Sequence, residues 1–199
     1  MLARRKTSIQ LEFLCALNTP SIIARIRASR ISVAQSLMKD VVALWQSRGL
    51  RVAGTIEELH GLNRNAVLVR DIMTGSTYPN YFENTTACKG HHFNPVAATR
   101  VCASLFAQLS ACDVLVLSKF DKLESSGLGL FPVFEAAAQK GKPTLTMVPV
   151  KHLSAWQTFA PNATVVGSIL GANLADVQSW WDAIRYLGEE RQGPDEVDR

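Results

Sequence analysis

The sequence predicts an α/β domain with a largely parallel sheet, and three observations carry that prediction. Apolar runs of strand length alternate about five times with segments of helical period, the signature of βα units. One run, Val114–Leu117, is continuously apolar, as a strand covered by helices on both faces must be. The third is composition: 199 residues, 47% hydrophobic and 19% charged, supply a sizeable core. No run approaches the roughly 18 apolar residues of a spanning helix. The prediction is one domain over residues 21–187, a flexible basic extension at 1–20 and a frayed acidic tail at 188–199.

Each element has a local reason. Residues 22–26 read as a first strand, and Val33, Leu37, Val41, Leu44 and Trp45 then form one apolar face of a helix closed by Gly49. Residues 51–56 read as a second strand whose Gly54 leaves room for a neighbouring backbone. Residues 66–72 make a third, stopped by Thr74 and Gly75, and 76–93 read as irregular. Asn94 caps the next helix and Pro95 presets its first φ; Val101, Leu105, Phe106 and Leu109 form its buried face. After the 113–117 strand come a helix at Phe131–Gln139 closed by Gly141, a strand at 144–148, a short helix at Leu153–Phe159 and an edge strand at 163–166. A final amphipathic helix on Leu174, Val177, Trp181 and Ile184 starts at Asn173.

The net charge of +4 is an N-terminal feature, because residues 1–48 hold eight basic and two acidic side chains. Nucleic-acid binding would rest on those arginines alone, so it is not the expected function. Cys15, Cys88, Cys102 and Cys112 contain no CxxC pair and read as reduced thiols, which points to the cytoplasm. Glu12 interrupts the apolar stretch that would otherwise imitate a signal peptide. His60 and His152 are isolated and read as loop or surface residues. Thiolate and imidazole suit a soft metal, making Cys88, His91 and His92 weak metal candidates. No GxSxG, HExxH or GxxxxGK[ST] pattern occurs, so neither a hydrolase nucleophile nor a phosphate loop announces itself.

In open α/β sheets ligands bind beyond the carboxyl ends of the strands, so the segment after Leu117 is where chemistry is expected. Ser118, Lys119, Asp121, Lys122, Ser125, Ser126, Gly127 and Gly129 are the candidate ligand-binding residues. The glycines would let amides approach an anion and a lysine would add charge. The alternative is a solvated connecting loop. Ser118-Lys-Phe-Asp121 also imitates the guanine-reading element of GTPases, but the upstream phosphate loop which that activity requires is missing.

The stretch Asp113-Val-Leu-Val-Leu-Ser-Lys-Phe-Asp-Lys-Leu-Glu-Ser-Ser-Gly-Leu-Gly-Leu resembles a known family. So do Lys142-Pro-Thr-Leu-Thr-Met-Val, Ala155-Trp-Gln-Thr-Phe159, Arg48-Gly-Leu-Arg-Val-Ala-Gly54 and Arg70-Asp-Ile-Met-Thr-Gly75. The resemblance is to the bacterial domain-of-unknown-function family 2478, over roughly residues 22–160. That family is similar to the P-loop nucleoside triphosphatases of the thermophile and cancer-related type, and its members are often encoded beside molybdate-transport genes. The resemblance implies a three-layer α/β/α sandwich with a mostly parallel, P-loop-NTPase-like sheet. In those triphosphatases an Asp-Glu pair follows the strand and holds magnesium; Ser118 and Lys119 occupy those positions here, whereas Lys122 and Glu124 match a Lys-x-Glu pattern.

The expected function is therefore a module with degenerate phosphate motifs that binds a nucleotide or small oxyanion without efficient hydrolysis, with a link to molybdate metabolism. The alternatives are a slow, magnesium-dependent nucleoside triphosphatase with Glu124 activating water, and a protein-interaction domain with an empty site. A homo-oligomer is compatible with each.

Overall fold

The computed structural model describes residues 20–28, 30–59, 67–79, 94–168 and 171–191. Among these residues seven strands form one sheet in the order β4-β3-β2-β5-β6-β1-β7. They are β1 (Ile23–Ile26), β2 (Val52–Leu59), β3 (Val67–Asp71), β4 (Thr77–Pro79), β5 (Val114–Leu117), β6 (Thr144–Met147) and β7 (Thr164–Val166). Strands β2, β5, β6, β1 and β7 are mutually parallel, while β3 and β4 extend one edge antiparallel. Five α-helices among the described residues cover the two faces: α1 (Ile31–Ser47), α2 (Pro95–Gln108), α3 (Phe131–Gln139), α4 (Leu153–Phe159) and α5 (Leu174–Arg191).

Each face has its own core, and strand parity decides which side chains enter which. Ala24, Ile26, Val114, Val116, Leu145 and Met147 meet α1 and α5. Ala53, Val69, Leu115 and Leu117 meet α2, α3 and α4. On α1 the buried stripe is Ala34, Leu37, Met38, Val41, Val42 and Trp45, the spacing of one helical face. Trp45 packs on Trp181 with ring centroids 5.2 Å apart, and each fully buried large side chain of this kind contributes about 2–3 kcal/mol. Trp180 is buried too and donates its indole N–H to the Ser21 carbonyl at 2.8 Å.

Most elements lie where the local pattern places them. Asn94 Oδ1 accepts from the Ala97 amide at 3.0 Å, and Asn173 and Asp176 cap α5 reciprocally. Gly54 has φ +124°, and a Cβ there would collide with the Val116 backbone, so β2 and β5 approach closely only because the residue is glycine. Four expectations need correction. Residues 77–79, read as irregular, form β4, because Val69 and its neighbours offer an antiparallel edge that a local pattern cannot reveal. Val33 and Phe106 are about half exposed; the α1 stripe is rotated to Ala34, and Cys102 occupies the buried α2 face. The last helix runs on to Arg191, past Gly188. His152 is not isolated, as its contacts below show. Residues 1–19, and with them the N-terminal extension and Cys15, lie outside the described residues, as do His60, Cys88, His91, His92 and 192–199.

Candidate functional site

Two junctions leave the carboxyl edge of the parallel sheet beside its central strands. After β1, residues 27–30 lead into α1 within four positions and contain no glycine. Arg30 occupies the N-cap in extended conformation and makes no side-chain capping bond. Among its described residues this connection has no backbone at positive φ, and without glycine it has no residue suited to wrap a phosphate.

After β5 the chain instead takes thirteen residues to reach α3, and side chains hold this segment at both ends. Phe120 is buried among Phe134, Trp156 and Phe159, with ring centroids 5.2–5.9 Å away, and its amide donates to the Met147 carbonyl at 2.9 Å. Further along, a short 3₁₀ turn at Glu124–Ser126 folds the loop back. Glu124, only 6% exposed, accepts the Asp121 amide on Oε2 and the Leu130 amide on Oε1, both at 3.0 Å. Burial pushes its carboxyl pKa up, and those amide bonds only partly offset the shift. Gly129 has φ +61°, and a Cβ there would run into Oε1 of Glu124.

The loop therefore spends many of its amides on itself. Lys122 N–H donates to Asp121 Oδ1, Ser125 N–H to the Asp121 carbonyl, and Gly127 N–H to the Glu124 carbonyl. The hydroxyls of Ser125 and Ser126 both donate to the Lys122 carbonyl at 2.9 and 3.0 Å. Ser118 is buried: its amide donates to Thr55 Oγ1 at 3.3 Å, and its carbonyl accepts from Gln35 Nε2 at 2.8 Å. Gln35 Oε1 in turn accepts the Glu57 amide, so one polar side chain on the apolar face of α1 ties together the ends of β2 and β5.

Charges are paired in a chain across the edge. Lys119 Nζ lies 2.9 Å from Glu57 Oε1 and 3.5 Å from Asp121 Oδ2. Asp121 Oδ1 faces Lys151 Nζ at 3.4 Å and His152 Nε2 at 2.8 Å, the latter off the hydrogen-bonding direction. Burial alone would raise the Asp121 pKa. The charge of Lys119, the Lys122 amide, and then Lys151 and His152 outweigh it and hold the carboxyl below its ordinary range. The Cys102 thiol donates to the Gly129 carbonyl. Burial, reinforced by the Glu124 charge, pushes its pKa up to about 11, so it is an inert core thiol.

A cleft opens between this loop, the first turns of α2 and the β3–β4 hairpin. Of the sequence candidates, Ser118, Lys119, Asp121, Lys122, Glu124 and Gly129 line it, whereas Ser125, Ser126 and Gly127 do not. Its other walls, Glu57, Tyr78 and Ala98 among them, were not singled out by the sequence reading. Gln35, a polar residue buried on an apolar helix face, was the one available signal for the edge's architecture. No cluster of three or more His, Cys, Asp or Glu that could hold a metal occurs among the described residues. The carboxylates that would be asked to hold magnesium do not suit it: Glu124 is committed to backbone amides, and Glu57 and Asp121 to Lys119. No helix among the described residues is long and apolar enough to cross a membrane.

The family described as Protein of unknown function (DUF2478) matches residues 23–180. The Molybdenum import ATP-binding protein ModC 2 of Bradyrhizobium diazoefficiens is 32% identical over 131 residues, 64% of this chain. The matched region spans only 14% of the length of that protein. The solution structure of a human cancer-related nucleoside triphosphatase aligns over 81% of this chain and 93% of its own, with 13% identity and a TM-score of 0.45.

Proposed function

The chain belongs to the DUF2478 family, and from that premise we propose that it is a P-loop-NTPase-like module that binds a nucleotide or small oxyanion beside the Ser118–Gly129 loop without efficient hydrolysis. The single observation that carries this reading is the pairing at the carboxyl end of β5. The resemblance to the triphosphatases expects carboxylates where Ser118 and Lys119 stand, and Lys119 is held between Glu57 and Asp121. Phosphoanhydride hydrolysis needs a metal-side carboxylate and a group to orient water. Here each nearby carboxylate already serves a lysine or a backbone amide. Binding has no such requirement, since an open cleft with Lys122 exposed beside it can still receive an anionic ligand.

Similarity to a molybdenum import ATP-binding protein supports nucleotide as the ligand class and a place in metal-oxyanion handling. The deciding measurement is thermal unfolding against nucleoside triphosphates with and without magnesium, and against phosphate, molybdate and tungstate. A native-state ligand raises the midpoint by mass action, by about 2.7 kcal/mol of stability at a hundredfold excess over Kd. A shift with nucleotide or oxyanion and a flat phosphate-release time course is the expected result. Magnesium-dependent phosphate release that vanishes in Glu124→Gln would replace this reading with a slow triphosphatase; no shift with any ligand would leave an interaction domain.

A further inference from the structure

The cleft has two chemically different ends. Glu57 of β2 stands opposite Val69 of β3, and Val69 opposite Tyr78 of β4, so the three share one row on the α2 face of the sheet. Lys119 extends that row beyond Glu57 through its 2.9 Å ion pair. Above it α2 presents Ala97, Ala98 and Val101, and Gly129 with Leu130 closes the loop side. Small side chains at 97, 98 and 129 keep a gap open between sheet and helix. Polarity runs from carboxylate and ammonium at one end to aliphatic and aromatic surface at the other.

Charge pairing then restricts the occupant. Lys119 is already shared between Glu57 and Asp121, Asp121 also faces Lys151 and His152, and Glu124 is buried on backbone amides, so the interior of the cleft has no surplus of positive charge with which to draw in a multiply charged anion. A flat, uncharged ring does fit. Its face meets Tyr78 and the aliphatic wall, and its N–H groups meet the Glu57 carboxylate, which keeps acceptor capacity beyond the one oxygen paired with Lys119. Resting on the nucleotide reading above, we propose that this cleft receives the base of the nucleotide, a planar heterocycle bearing N–H donors. The phosphates stay at the mouth beside the exposed Lys122.

The experiment titrates the full chain calorimetrically with the four ribonucleosides, their triphosphates and inorganic triphosphate. Ala98 lies partly exposed on a helix, so Ala98→Leu narrows the cleft at little cost to folding. The expected results are at least tenfold weaker binding of nucleosides and nucleotides in Ala98→Leu with an unchanged melting midpoint, and an altered order of base preference in Glu57→Gln. Lys122→Ala should weaken triphosphates while leaving nucleosides alone. If nucleotides bind as tightly to Ala98→Leu and Glu57→Gln as to the wild type, or no more tightly than inorganic triphosphate, the base site is wrong while the nucleotide reading stands. If neither nucleotides nor oxyanions bind the wild type, the nucleotide reading fails and takes the base site with it.

Discussion

The β1–α1 and β5–α3 junctions leave the same edge of the same sheet and solve opposite problems. The first is four residues long, rich in arginine and free of glycine. The second is long, carries two glycines at positive φ and folds around a buried carboxylate. The contrast shows that glycines and charge in a loop after a strand do not by themselves make an anion cradle. In the second junction Gly129 makes room for Glu124, and Glu124 consumes amides that a phosphate would need. On the strand that leads into the first, Arg25 meets burial and the charge of Arg27, both of which lower its pKa, and no carboxylate among the described residues relieves it.

If the β5–α3 loop is built on Glu124, its removal is the most damaging change at this edge. Glu124→Ala leaves the Asp121 and Leu130 amides unpaired, at 1–3 kcal/mol for each buried donor, so urea unfolding should show a loss of about 3 kcal/mol. A loss under about 1 kcal/mol would mean that the loop does not depend on the clamp. Next comes Gly129→Ala, which combines left-handed strain with overlap on Glu124 and should cost about 2–3 kcal/mol. Gly127 shares the left-handed φ, at +75°, but has open space around it, so Gly127→Ala should cost only about 1 kcal/mol. Equal losses in the two variants would remove steric fit to Glu124 as the role of Gly129.

A pH series sharpens the same contrast. The Glu124 pKa is raised in the fold, so between its unfolded and folded values the native state retains more of the proton than the unfolded chain does. Wild-type stability relative to Glu124→Gln should therefore fall as pH rises from about 4.5 through the raised value. Asp121 has the opposite sign. Its lowered pKa contributes stability above the ordinary carboxylate range that is lost as pH falls through the folded value, and Asp121→Asn should flatten that acid limb. Denaturant midpoints from pH 3 to 7 check both, and a wild type that parallels Glu124→Gln throughout would contradict the first. The smallest effect belongs to the other junction: Arg25→Met should change stability by less than about 0.5 kcal/mol, toward stabilisation, because it removes a repelled and partly buried charge. A large loss would reveal a partner for Arg25.

Much of the fold was legible along the chain. Asn94-Pro95 and Asn173 announce helix starts, Gly49 and Gly141 announce helix ends, and the run of four apolar residues in β5 announces burial on both faces. Each of these rests on φ preference, capping or periodicity within a few residues. The candidate site was legible only in part. The Ser118–Gly129 segment stood out by composition, yet nothing local marked Glu57 as the partner of Lys119, or Tyr78 as a wall of the same cleft.

The sequence by itself determined the alternation of strands and helices, the helix termini, and the glycine positions able to take a positive φ. Those depend on the stereochemistry of neighbouring residues. Only the tertiary structure decided the strand order, the antiparallel placement of β3 and β4, and which carboxylate serves which cation or amide. Those choices join groups far apart in the chain, and a charged side chain takes whichever partner the packed core brings within about 3 Å, which no local pattern encodes.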